Sequence, residues 1–243
     1  MKKIVKFRLN GIAVLACVLV LGMFSVGFAG DSTVNPDTLP MFGQPKIVRS
    51  DVQKASDEIF IRDNVLRYRT KQAASNAYAA LGWNAVREKQ LDGAMLRFNQ
   101  AWLLNPKSYN PFWGFGAVLT AKGHLAEAID QLEVARDLID DPTQRPALLS
   151  DLGAVHSEYA ARLPADRQLE RAQRFVVANS RFTESLENDP NFAQGWREWA
   201  ISLYEQERYS EAWVKVKRAR ELRAEPFPPE FLKKLSAKMA EPK

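Results

Sequence analysis

Cysteine and histidine are scarce in this chain of 243 residues, which has one cysteine, Cys17, and two histidines, His124 and His156. Beyond residue 17 there is no thiol, so the rest of the chain has no disulfide, no thiol nucleophile and no thiolate metal ligand. His124 follows Gly123 and reads as a solvated turn residue, while His156 lies three positions after Gly153 and reads as a core-edge residue. A metal site needs more ligands than these at suitable spacing. Neither a phosphate-cradling glycine loop nor a Gly-x-Ser-x-Gly nucleophile elbow is present. The acidic pair Asp140-Asp141 and the segment from Asp166 to Glu170 read as solvated turn and helix-start residues. No catalytic residue, metal ligand or cofactor site is therefore assigned.

Charge of one sign is also less abundant than the total implies. The net charge is +5, but four of those charges (Lys2, Lys3, Lys6 and Arg8) fall in residues 1–29, which hold no acidic residue. The remainder carries only +1, which gives no reason to expect a nucleic-acid or anionic-membrane partner. The basic start, the uncharged stretch from Gly11 to Phe28 and the small residues of Gly27-Phe28-Ala29 predict a signal peptide over residues 1–29, cleaved after Ala29. Export, most simply to a bacterial periplasm, follows from that reading. The stretch approaches the roughly 20 residues that span a bilayer, so an uncleaved inner-membrane anchor over residues 11–29 is one alternative. A lipoprotein is another, because Val14-Leu15-Ala16-Cys17 faintly resembles a lipobox. A lipobox cysteine normally ends the apolar run, however, and here the run continues through Phe28.

Residues 30–49 read as a linker, since Pro36, Pro40 and Pro45 with Gly30 and Gly43 interrupt any regular element. Leu39, Met41, Phe42, Ile47 and Val48 are apolar residues in it that can pack on the first helices. Ser50-Asp51 offers an N-cap, and the spacing predicts a short helix from Asp51 to about Arg62 with Val52, Ala55, Ile59 and Phe60 as its apolar stripe.

From about Thr70 to Arg223 the chain reads as helix after helix, and it repeats itself. Leu81-Gly82 is followed by Ala94, Phe98, Ala101 and Pro106, and Phe115-Gly116 by Ala128, Leu132, Ala135 and Pro142. Trp199-Ala200 is followed by Ala212, Val216, Ala219 and Pro226, and Ala178, Phe182, Ser185 and Pro190 supply a further second half. The anchor alanines 94, 128, 178 and 212 are separated by 34, 50 and 34 positions. Tyr78, Phe112, Leu149 and Trp196 occupy the place three residues before each pair. Over residues 75–225 this pattern resembles the tetratricopeptide repeat, a helix pair of 34 residues.

The resemblance implies an all-α solenoid of about four helix pairs over residues 50–225, with a short helix before it. Large apolar residues sit at helical spacing, small ones stand where paired helices cross, and proline ends each unit. No pair can bury its apolar face alone, so neighbours stack. In the third unit Leu152-Gly153 is followed by Ala178 after twenty-five residues rather than twelve. The extra residues, about 160–172, read as a lengthened helix pair whose tip projects, with Pro164 in the first turn of its second helix and Leu169, Ala172, Val176 and Phe182 in helical phase. A plain loop insertion is the alternative. Residues 226–243 contain Pro226-Phe227-Pro228-Pro229 and then a capping helix from Pro229 to Met239 with Phe231, Leu232, Leu235 and Met239 on one face.

In that family the first helix of each pair lines a concave groove. The resemblance places Ala79, Trp83, Val86 and Arg87 there from the first unit, and Trp113, Ala117, Thr120 and Ala121 from the second. It adds Ser150, Ala154, Ser157 and Glu158 from the third, and Arg197, Ile201, Tyr204 and Glu205 from the fourth. Trp83, Arg87, Trp113, Arg197 and Tyr204 are of the types that carry binding energy and are the candidate partner-binding residues. Packing of the two tryptophans under the linker or against the extra helix is the alternative. The family's Lys/Asn/Arg clamp for a terminal carboxylate is missing, since Ala79, Trp83, Gly114, Ala147 and Asp151 hold its places. The implied function is a non-enzymatic scaffold of the cell envelope that holds a protein or peptide partner. An accessory role in a secretion or pilus assembly machine, and an enzyme or small-ligand binder on a helical array, are the other readings. Partner identity and oligomeric state are left open.

Overall fold

A computed structural model describes residues 35–242. The expected signal peptide, its cleavage after Ala29, the alternative anchor and Cys17 all lie outside the described residues. Among the described residues no helix is long and apolar enough to cross a membrane.

The described chain is all helical, with ten α-helices. Eight form four antiparallel pairs: α2 (Lys71–Arg87) with α3 (Leu91–Leu104), α4 (Tyr109–Lys122) with α5 (Leu125–Leu138), α6 (Arg145–Arg162) with α7 (Gln168–Asn188), and α8 (Ala193–Glu205) with α9 (Tyr209–Glu221). Each second helix also packs on the first helix of the next pair. α2 lies against α4, and α6 against α8, while the second helices do not pack on one another. The first helices thus form an inner layer and the second helices an outer, splayed one, the architecture that the repeat phase predicts.

The small residues of the pattern explain the close crossings. A Cβ on Gly82 would sit 2.6 Å from the Phe98 ring, and one on Gly116 would sit 2.5 Å from Leu132. A Cβ on Gly114 would fall still closer to Phe98, so this fully buried ring fills the space between α2, α3 and α4. The turns within pairs also keep the repeat phase. Lys89, Gly123 and Glu207 each adopt left-handed backbone, with φ of 60°, 82° and 58°, the conformation that ends one helix and turns the chain into the next.

Two hydrophobic clusters result. One runs from Ala79 through Phe98, Phe115 and Leu132 to Val155, and the other gathers Leu203, Trp213, Val216, Phe227 and Leu235 at the C-terminal end. α10 (Pro229–Lys238) caps that end. It buries Leu235, stacks Phe231 on Phe227, and the Trp213 indole donates to the Met239 carbonyl. The Met239 side chain itself is exposed.

Residues 35–49 are not a bare linker. They form two short turns, Pro36–Thr38 and Pro40–Gly43, packed on α3. The fully buried Asn99 side chain holds them, accepting from the Phe42 N–H at 3.1 Å and donating to the carbonyls of Leu39 (2.8 Å) and Asp37 (3.2 Å). Met41, Phe42 and Gly43 are left-handed in succession, with φ of 52°, 55° and 77°. For the first two residues that costs about 1–2 kcal/mol each, which burial of Phe42 and the Asn99 bonds offset.

The first helix corrects the sequence reading in length and in face. α1 runs Asp51–Tyr68, started by a reciprocal Ser50/Gln53 capping box. Its packed face is Asp57, Phe60, Ile61, Asn64, Val65 and Tyr68, with Phe60 edge-on to Tyr78 at 5.2 Å. Val52 and Ile59, expected in the stripe, are 81% and 51% exposed, and Ala55 is exposed too. Among the described residues α1 packs on α2 and α3.

The helices of the third pair have 18 and 21 residues, against 14 in each helix of the second pair. Pro164 does not open α7. It lies in the turn between Leu163 and Gln168, with Arg167 preceding the helix. Leu169 and Val176 are 75% and 68% exposed, so the apolar phase that they keep lies on an exposed face of α7.

Candidate functional site

The inner layer is not evenly closed. The α2 and α4 backbones meet, as do those of α6 and α8, whereas the α4 and α6 backbones are more widely separated and are bridged by the Trp113–Asp151 hydrogen bond. The connection before α6 spans 139–144, two residues longer than the connections at 105–108 and 189–192. The gap leaves a cavity of about 350 Å³ lined by Trp113, Ala117 and Ala121 of α4, Asp151 and Ala154 of α6, and Gln194 and Glu198 of α8, with Leu132 at its floor. A second cavity of about 440 Å³, between Trp83, Tyr109, Asn110, Asp141 and Gln144, shares Trp113 and Asp151 with it. A third, of about 410 Å³ and reaching Ile201 and Glu205, shares Ala154, Glu158 and Glu198. Together they make one groove along the inner face.

The two tryptophans are held by their ring nitrogens. Trp83 Nε1 donates to Asn110 Oδ1 and Trp113 Nε1 to Asp151 Oδ2, each at 2.8 Å. Their rings meet edge to face at 5.4 Å, and Trp83 rests on Phe98 at 5.3 Å. With both N–H groups engaged, the ring surfaces that remain half-open are what the groove presents. The turns at 35–49 pack on α3 instead, and none of their residues lines the cavity beside these rings.

Charge in the groove is predominantly negative. Asp141, Asp151, Glu158, Glu198 and Glu205 line it, and among the described residues the one cation lining it is Arg162, which pairs with Glu158. Asp151 is solvent-exposed at the groove, yet enough protein surrounds its carboxyl that desolvation pushes it up to about 6, against the Trp113 hydrogen bond and with some help from Glu198. Burial likewise raises Glu198, opposed by Arg197 and Gln194. Asp141 is held below the usual carboxylate range by hydrogen bonds from the Thr143 hydroxyl and N–H.

Of the five candidate partner-binding residues, the structure brings Trp83 and Trp113 together at the groove and places the other three elsewhere. Arg87 is exposed, bonds Asn84 and lines none of the three cavities. Arg197 is largely buried, donates to Glu198 at 2.7 Å and lies over Phe227 at 5.7 Å. Tyr204 packs on Tyr209 and on Phe231 of the cap, both at 5.7 Å. Phe231 of α10 thus takes up this face of α8. In α6 and α8 the groove residues are Asp151 and Glu198, one position after the expected Ser150 and Arg197, or about 100° further around the helix. Ser150 is buried. Ala79 is also buried rather than lining the groove. Ala117, Thr120, Ala121, Ala154, Ser157, Glu158, Ile201 and Glu205 are where the resemblance puts them.

His156 is buried on the opposite side of α6, 3.8 Å from Glu133, so it and Glu158 do not share a site. His124 is exposed beside Glu127. Among the described residues no three His, Cys, Asp or Glu side chains are grouped to hold a metal ion.

No protein-family model matches the chain, and no curated protein sequence matches it. Among solved structures it is similar to YrrB, described as a TPR protein with an unusual peptide-binding site, at 18% identity and a TM-score of 0.34 over 73% of this chain and 97% of that one.

Proposed function

We propose that this protein is a non-enzymatic binding scaffold of the bacterial cell envelope, whose inner groove holds an extended segment of a partner protein. The observation that carries the reading is the continuous groove across α2, α4, α6 and α8, with two tryptophan rings fixed in it by their own hydrogen bonds. Rings already ordered lose little conformational entropy when a partner covers them, and aromatic side chains of this kind dominate interface energies. The basic start and apolar stretch of residues 1–29 support export, and the periplasm is the destination that we assign.

The test is affinity capture from an envelope extract with the purified protein and with its Trp83→Ala/Trp113→Ala variant. A specific protein held by the first and lost from the second, with helical content unchanged, supports the reading. Identical capture by both would remove the groove as the binding face.

A second reading, docking of the protein on an envelope assembly machine through its third pair, is favoured by Leu169 and Val176, which present apolar surface to solvent along one face of α7. Leu169→Ser/Val176→Ser would then release a larger assembly while leaving groove capture intact.

A further inference from the structure

The chemistry of the groove narrows what fits it. Five carboxylates line it, and among the described residues its one guanidinium is already held by Glu158, whereas residues 30–243 together carry a net charge of +1. The charges are therefore sorted, with acid gathered on the concave face. At the central cavity this sorting meets an aromatic wall. Asp151 enters from α6, Glu198 from α8 and Trp113 from α4. Asp151 uses Oδ2 for the Trp113 indole, and Glu198 uses Oε1 for both Arg197 and Gln194. Among the described residues, Asp151 Oδ1 and Glu198 Oε2 accept no hydrogen bond. Two carboxylates with a spare oxygen each, repelling one another at a partly desolvated site, are relieved by a cation placed between them. The indole N–H of Trp113 is already spent, so it is the ring face that is left for a ligand, and a ring face attracts a cation.

We propose that the occupant of the groove is a basic peptide segment, with a lysine or arginine side chain seated between Trp113, Asp151 and Glu198. This rests on the groove being the binding face. At neutral pH Asp151, though pushed up to about 6, is ionised, and among the described residues it has no cationic partner. The apolar stem of a long basic side chain lies along Ala117, Ala154 and Leu132 while its head meets the carboxylates. Trp83 and Tyr109 in the adjoining cavity cover neighbouring residues of the same segment.

The test is selection of short random peptides displayed against the purified protein, followed by titration of the recovered peptides at low and high salt. Wild type is compared with Asp151→Asn/Glu198→Gln, in which Asn can still accept from Trp113. Recovery of peptides rich in Lys and Arg, bound about tenfold more weakly by the double variant and weakened by salt, supports the inference. Basic peptides that bind both forms equally overturn it. Recovery of acidic or uncharged peptides that Trp83→Ala/Trp113→Ala releases and the double variant does not also overturns it, while leaving the groove as the binding face. If no peptide is recovered, the groove reading fails and this inference falls with it. Circular dichroism of each variant separates lost binding from lost folding.

Discussion

Adding one methyl group to glycines at different places in the array should have effects of opposite sign. Gly93 lies on the outer side of α3, and a Cβ there would meet only Gln90 Cβ, at 3.9 Å. Gly93→Ala therefore gains the helix propensity difference, about 0.5–1 kcal/mol. Gly114 has the same propensity gain available, but its Cβ would enter the ring of Phe98. That ring cannot withdraw, because Phe98 is fully buried with Trp83 at 5.3 Å and Phe115 at 6.4 Å. Overpacking at an enclosed site costs about 1–3 kcal/mol, and the depth of this overlap puts Gly114→Ala at the upper end. Its net effect is a loss of about 2 kcal/mol. Gly153 is intermediate, with a Cβ 3.1 Å from the Phe182 ring and 3.2 Å from the Ala178 carbonyl. Urea unfolding followed by helical circular dichroism reads all three, and the expected order of stability is Gly93→Ala, wild type, Gly153→Ala, Gly114→Ala. Phe98→Leu opens space beside Gly114, so Gly114→Ala should cost less in that background, a coupling that a double-mutant cycle measures. Equal effects at Gly93 and Gly114, or no coupling to Phe98, would refute the packing argument.

Two further outcomes follow from Asn99 and Asp151. Asn99→Leu leaves the Phe42 N–H and two carbonyls without partners, at a cost of about 2 kcal/mol or more; hydrogen exchange should quicken in residues 35–49 and stay slow in α4 and α5, and unchanged protection of 35–49 would contradict it. Asp151 is raised from 3.8 to about 6 in the folded chain, so folding favours its protonated form and the penalty for ionising it grows between about pH 4 and 6 and is complete above that. Asp141, Glu158 and Glu198 line the same groove as Asp151 and stay in place in Asp151→Asn, so that variant should gain more in melting temperature over wild type at pH 7 than at pH 4; an equal or reversed difference would refute the shift.

The repeat phase was readable because it rests on local rules. A large residue at Phe98, Leu132 or Phe182 faces a small one on the paired helix, and both belong to one 34-residue pattern. What escaped the sequence depends on distant partners. The turns at 35–49 read as linker because their three prolines are visible, while the residue that orders them, Asn99, is 57 positions from Phe42. α1 carries apolar residues on two faces, and only the position of α2 and α3 decides that Phe60 and Ile61 pack while Val52 and Ile59 do not. Arg197 and Tyr204 suit a groove in an endless array, but at the last pair their neighbour is the cap. Asp151 enters the sequence reading only as the place where a clamp residue is missing; its charge matters because the α4 and α6 backbones are widely separated, a spacing set by tertiary packing.

The third pair has a mechanical meaning. Helix arrays gain stability from nearest neighbours, yet the described chain is one compact unit. Phe182 of α7 is fully buried, lies against Gly153 of α6 and stacks on Trp199 of α8 at 6.0 Å. It works as a rivet between the third pair and the fourth. Strain applied at one end of the array passes to the other through this ring instead of being absorbed within one pair.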